Sequence, residues 1–199
     1  KEAGVAPWAA TASAILLQAL AIGTGAVVAA LFGAAAIEAE HPGALMPLSL
    51  VGGIAAMAVS TLLYPPTARR LLALARVDPA TPSPGAAPVL LGLVINLVAW
   101  LGYGVALWLL GSAVLPEGGL TLAPAIAGFA ASYVAGLIAV FMPGGLVVRE
   151  LLLIAILKPS LGLGPATALA VASRILLTIT ELGAAVPFLV LRRGSPRVV

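Results

Sequence analysis

The chain has 199 residues, 62% of them hydrophobic and only 9% charged, where soluble domains carry roughly 25% charged residues. A surface so poor in charge does not stay in water, so the solvent must largely be lipid. With no cysteine and a single histidine, His41, disulfides, thiolate chemistry and a histidine-built metal site are excluded, and no metal or other cofactor is expected.

The composition points to an all-α polytopic membrane protein with one integral-membrane domain over residues 1–199. The chain opens "KEAGVAPW" without an initiator methionine, which suggests further residues upstream. Spans of roughly 20 apolar residues are needed to cross a bilayer as helix. The first runs from about Trp8 to Ile37, the second from about Leu45 to Tyr64. Residues 65–88, with Arg69, Arg70, Arg76 and a run of prolines, read as a water-facing loop. The third span covers about Pro88 to Gly111 and the fourth about Pro124 to Met142. A break at Pro143, Gly144 and Gly145 then precedes a short helix from Val147 to Lys158. The last span covers about Pro165 to Leu191.

Basic residues favour cytoplasmic loops. Arg69, Arg70 and Arg76 therefore place the 65–88 loop inside, and Arg192, Arg193 and Arg197 place the C-terminus there too. Six crossings leave both ends in the cytoplasm, and the setting is the cytoplasmic (inner) membrane. The net charge of +3 is accounted for by these loops, so no nucleic-acid partner is expected. Small residues recur at every fourth position, as Gly25, Ala29 and Gly33 and as Gly128, Ser132 and Gly136. Such ridges allow lipid-embedded helices to pack closely.

The stretch "FMPGGLVVRE" is the most unusual in the chain. Proline lacks a backbone donor and glycine tolerates dihedrals that other residues resist, so the chain can turn and start a new helix near Val147. That helix, a dozen residues long, reaches only ~18 Å against a hydrocarbon core of ~30 Å. Either irregular chain at "KPSLGLGP" completes the crossing, or the turn dips into the membrane; the second is preferred. Irregular backbone at that depth needs protein cover or water. A helix beginning there offers unpaired N–H groups and the positive end of its dipole.

Arg149 and Glu150 lie in the first turn of this helix. In the last span Arg174 and Glu181 are two turns apart, about 10.5 Å along the axis, with Thr178 on the same face. Ionisable groups in a membrane span usually face partners or water. Pairing Arg149 with Glu181 and Glu150 with Arg174 would neutralise all four charges, although depth does not fix the partners. The cluster reads either as an anion or lipid headgroup site or as a buried clamp between two helices. Gly144, Gly145, Arg149, Glu150, Arg174, Thr178 and Glu181 are the lipid- and anion-binding candidates. Asn96, Trp100 and Tyr103 in the third span are secondary ones. Asn96 and Gln18 suit hydrogen bonds between helices, and the stripe of Trp100, Gly104 and Trp108 suits packing. No catalytic motif occurs, so no catalytic residue is assigned.

With "PGGLVVRE" followed by "ASRILLTITELGA", the sequence resembles the integral-membrane domain of the lysylphosphatidylglycerol synthetase/flippase family. Pro143, Gly144, Gly145, Leu146, Arg149 and Glu150 match its Pro-Gly-Gly-Leu-Gly-x-Arg-Glu signature, and Arg174 matches a later arginine. Val147 stands where the signature has its third glycine. The likeness covers about residues 88 to 191. It implies a multi-spanning flippase-type protein that moves an anionic or aminoacylated phospholipid, or a polyprenyl-linked lipid, between leaflets. Membrane lipid is then the expected partner, with an oligomer or a larger membrane complex as further company. The two other roles for such a chain are a non-transporting accessory subunit of a membrane complex and a partner in lipid transfer chemistry.

Overall fold

The computed structural model describes residues 7–40, 86–115, 119–139 and 147–193. Five helices are present among them: α1 (Pro7–Glu40), α2 (Ala86–Val114), α3 (Leu122–Ile138), α4 (Val148–Leu161) and α5 (Leu163–Arg193). The second expected span, most of the 65–88 loop, and Pro143, Gly144 and Gly145 lie outside the described residues.

Three stretches, Leu17–Ala36, Leu90–Val114 and Leu163–Pro187, are long and apolar enough to cross a membrane. Large apolar side chains on α2 and α5 face outward, Val98, Ile95, Ile179 and Leu182 among them. In water such a surface would demand a covering partner, whereas lipid tails solvate it directly. The chain is therefore built as a helical membrane protein.

α3 is the organising element. Its 17 residues reach only ~26 Å, less than the hydrocarbon thickness, and every residue from Ala125 to Ala130 is buried. It packs against α1, α2 and α4, while α5 lies mainly on α4 and touches α2 more lightly. One apolar core runs through Trp100, Phe129, Leu153, Leu157 and Leu169.

Glycines set how closely these helices meet. A Cβ on Gly104 would stand 2.6 Å from the backbone Cα of Ile126, so α2 and α3 approach nearly backbone to backbone. A Cβ on Gly25 would lie 2.6 Å from both the Trp100 ring and Val134. The ring thus occupies the space that a side chain on α1 would need. Its indole Nε1–H donates to Thr24 Oγ1 at 3.1 Å, and that hydroxyl donates in turn to Leu20 O at 2.7 Å. Of the small-residue ridges, Gly25 and Gly128 make close contacts, the latter toward Leu153, Ile156 and Leu157 of α4. The Trp100–Gly104–Trp108 stripe is likewise a packing face, with Trp100 and Gly104 buried.

Two expectations are not met among the described residues. There Asn96 bonds only within its own helix, its Nδ2 donating to Gly92 O one turn back at 2.9 Å. Gln18 lies exposed. At "KPSLGLGP" the helix continues to Leu161 and only Gly162, at φ 81°, separates α4 from α5. The irregular linker is a single left-handed residue, a conformation glycine adopts at little cost.

Gly104→Ala is expected to destabilise the bundle by about 1–3 kcal/mol through overpacking against Ile126. Gly102, two residues away, has nothing within 4 Å of an added Cβ, so Gly102→Ala should leave the melting temperature unchanged or raise it. Thermal melts of both variants in the same detergent check the contrast; equal effects would contradict the close α2–α3 approach.

Candidate functional site

The charged cluster gathers where α4 begins, beside α3 and α5. Arg149, in the first turn of α4, is only 4% exposed. Its guanidinium carbon lies 4.7 Å from the Tyr133 ring centroid and 5.0 Å from that of Phe129. These two aromatics are one turn apart on α3 and stack on each other at 5.7 Å. Trp100 meets both edge-on, at 6.5 Å and 5.6 Å, and Tyr103 stacks on Phe129 at 5.2 Å.

The magnitudes explain why an arginine can sit here. A charged side chain at the centre of a lipid-embedded helix costs about 2.5–3.5 kcal/mol. A desolvated cation over an aromatic face recovers about 2 kcal/mol, so two such rings offset most of the cost. The offset is electrostatic and leaves hydrogen-bonding capacity unused. Arg149 Nη2 is buried and makes no hydrogen bond among the described residues.

Glu150 works in two directions. Its Oε2 accepts from the backbone N–H of Val147 at 2.8 Å, capping the start of α4. The negative charge also complements the positive end of the helix dipole. Its Oε1 lies 3.7 Å from Arg174 Nη1 on α5. That separation makes an ion pair but is too long for a hydrogen bond, and Oε1 is otherwise buried without a partner. Among the described residues, Arg149 Nη2 and Glu150 Oε1 are thus left without a hydrogen-bond partner, and the Glu181 carboxylate is close enough to act on Arg149 electrostatically.

The Glu150–Arg174 pair occurs as the spacing suggests. The proposed partner of Arg149 does not: it rests on Phe129 and Tyr133, and Glu181 is exposed without an ion pair among the described residues. A flat aromatic surface one helix away competes with a carboxylate on α5, and burial favours the contact that strips water from the cation. Thr178 is also exposed, and its hydroxyl donates to Arg174 O at 2.9 Å, so it contributes no free donor. Of the secondary candidates, Trp100 is buried core and Tyr103 belongs to the aromatic stack. Phe129 and Tyr133 are the residues the sequence reading missed. Their signal is the four-residue spacing in "GFAASYVAG", which places both rings on one face of α3.

Val147 carries a further mark. It is the only residue other than glycine with positive φ among the described residues, at φ 74° and ψ −49°. This is the rare, strained form of the γ-turn, imposed on a β-branched residue. Valine also has no oxygen with which to cap the helix; among the described residues the side-chain contact at that end is the Glu150 carboxylate accepting from the Val147 N–H. The side chain is 53% exposed and packs little.

Three helices long and apolar enough to cross a membrane, with two shorter ones and a buried charged corner between them, define the class: an all-helical protein of the membrane type. No protein-family model matches the chain, and no curated protein or solved structure does so either.

Because strain of this kind costs about 1–3 kcal/mol and glycine adopts positive φ freely, Val147→Gly should raise the melting temperature of the purified protein. A fall would show that the side chain contributes more than its strained backbone costs.

Proposed function

We propose that the protein binds an anionic or aminoacylated phospholipid, or a polyprenyl-linked lipid, at the Arg149–Glu150–Arg174 corner and moves it between leaflets of the cytoplasmic membrane. The observation that carries this reading is the buried guanidinium of Arg149, which lies against aromatic rings and whose Nη2 has no hydrogen-bond partner among the described residues. A guanidinium fork suits phosphate oxygens, to which it donates charge-assisted hydrogen bonds in pairs. The buried positive charge of Arg149 and the start of α4 both favour a ligand phosphate. The spare Glu150 oxygen would meet a donor on the same ligand, such as a hydroxyl or an ammonium.

The sequence likeness to the flippase-type domain supports the same reading. A left-handed φ stands at Val147, where the family signature carries glycine, so the local backbone suits the signature even where the side chain departs from it. In this reading six crossings leave both termini inside. In the same reading α4 begins beside the headgroup, with Arg149 and Glu150 in its first turn.

A helix clamp is the competing role, favoured by the 3.7 Å Glu150–Arg174 pair between α4 and α5. Transport separates the two. Reconstituted protein should carry fluorescent phosphatidylglycerol across vesicle bilayers, measured by quenching of the outer leaflet. Arg149→Ala should slow this by about tenfold or more, the loss expected when a charged hydrogen-bonding partner is removed, while the variant still elutes as folded protein. Arg174→Ala should slow it as well. Unimpaired transport in both folded variants would leave only the clamp.

A further inference from the structure

Between α2, α3 and α5 lies a cleft of about 100 Å³, lined chiefly by Leu107, Leu110, Phe129, Leu176 and Leu177, with Ser173 and Thr180 at its α5 wall. Both hydroxyl protons are taken up within α5: Ser173 Oγ donates to Ala170 O and Thr180 Oγ1 donates to Leu177 O, both at 2.8 Å. The walls are therefore mostly hydrocarbon, with the oxygens of Ser173, Thr180 and Tyr103 as their polar side-chain atoms. The volume is well below the roughly 300–1,000 Å³ of sites that enclose a drug-sized molecule. It suits a few methylene groups, not a helix or a sugar.

The cleft also lies next to the charged corner, with Phe129 shared between them. Phe129 lines it and carries the Arg149 guanidinium 5.0 Å from its ring centroid. Ser173, in its wall, directly precedes Arg174, which pairs with Glu150. Tyr103 and Leu176 at the cleft are exposed, so it opens toward the outer face of the bundle. In a bilayer the apolar material outside is lipid tail, and a gap left unfilled loses the dispersion contacts of its lining atoms.

We propose that this cleft seats one acyl chain of the lipid whose headgroup meets Arg149, so that a single lipid is held by tail and headgroup with Phe129 common to both. This rests on the headgroup reading of the corner and adds the selection of a chain. Ala106 lies in the wall of the cleft, and Ala106→Phe fills it from α2 without removing a charged group. Val98→Phe adds the same ring to the exposed face of α2, where Val98 is 65% exposed.

The experiment uses the full chain in nanodiscs doped with phosphatidylglycerol bearing a photoreactive diazirine midway along one acyl chain. Phosphatidylcholine with the same chain serves in parallel, and labelled peptides are mapped by mass spectrometry. The expected map concentrates on peptides containing Leu107, Leu110, Leu176 and Leu177, more strongly with phosphatidylglycerol. That labelling should fall severalfold in Ala106→Phe and in Arg149→Ala and persist in Val98→Phe. Labels spread evenly over the outward faces of α2 and α5 in the wild type overturn the proposal, whatever the variants do. Cleft labelling that is equal for both lipids and indifferent to Arg149→Ala overturns it too, since the chain seat would then be independent of the headgroup. Neither outcome decides the headgroup reading, which the transport rates of Arg149→Ala test separately.

Discussion

The structure depends on how one guanidinium is kept inside a bundle solvated by lipid. Arg149 is almost fully buried, and without compensation its charge would be among the largest local penalties in the fold. Two stacked rings on α3 supply that compensation, and this fixes where α4 can start relative to α3. The rest of the packing follows from holding those rings in place. Trp100 presses edge-on against both of them and is itself anchored to α1 through Thr24. Gly25 and Gly104 allow the approach, one by making room for the indole ring and the other by letting α2 lie against the α3 backbone.

Around this arrangement the charges are deliberately unequal in their satisfaction. Glu150 caps its own helix and reaches toward Arg174, so it links the start of α4 to the middle of α5. Arg149 is stabilised by ring faces, which attract a cation without accepting a hydrogen bond from it along the N–H direction. A corner fully occupied by mutual ion pairs would be a clamp and little else. Among the described residues this corner leaves Arg149 Nη2 and Glu150 Oε1 without hydrogen-bond partners, which gives it capacity for a ligand that offers both an acceptor and a donor. The strained backbone at Val147 belongs to the same economy: the tight start of α4 brings Arg149 and Glu150 into the bundle together, and the turn holds against a valine's preference.

Much of this was legible in the sequence where the signal was long or electrostatic. The runs beginning near Trp8, Pro88 and Pro165 announced helices because lipid solvation demands uninterrupted apolar length, and α1, α2 and α5 extend only a few residues beyond them. The pairing of Glu150 with Arg174 followed from opposite charges with few other partners. The seat of Arg149 was not legible, because an aromatic pair four residues apart is ordinary packing material and becomes a cation platform only when α4 crosses it. Asn96 shows the same limit in reverse: an amide in a span reads as a link to a neighbour, yet its own helix offers an acceptor one turn away. At Lys158 to Pro165 the prolines and glycines suggested a linker. Pro159 is accommodated near the end of α4, and the turn needs only Gly162.

The central claim is that the spare hydrogen-bonding atoms of Arg149 and Glu150 face a lipid. An experimental structure of the protein in nanodiscs of native lipid tests it most directly. The account predicts headgroup density within hydrogen-bonding distance of Arg149 Nη2, with tail density leading into the cleft beside Phe129. Side chains or backbone carbonyls of the protein itself closing over both Nη2 and Glu150 Oε1, with no lipid between them, would contradict it.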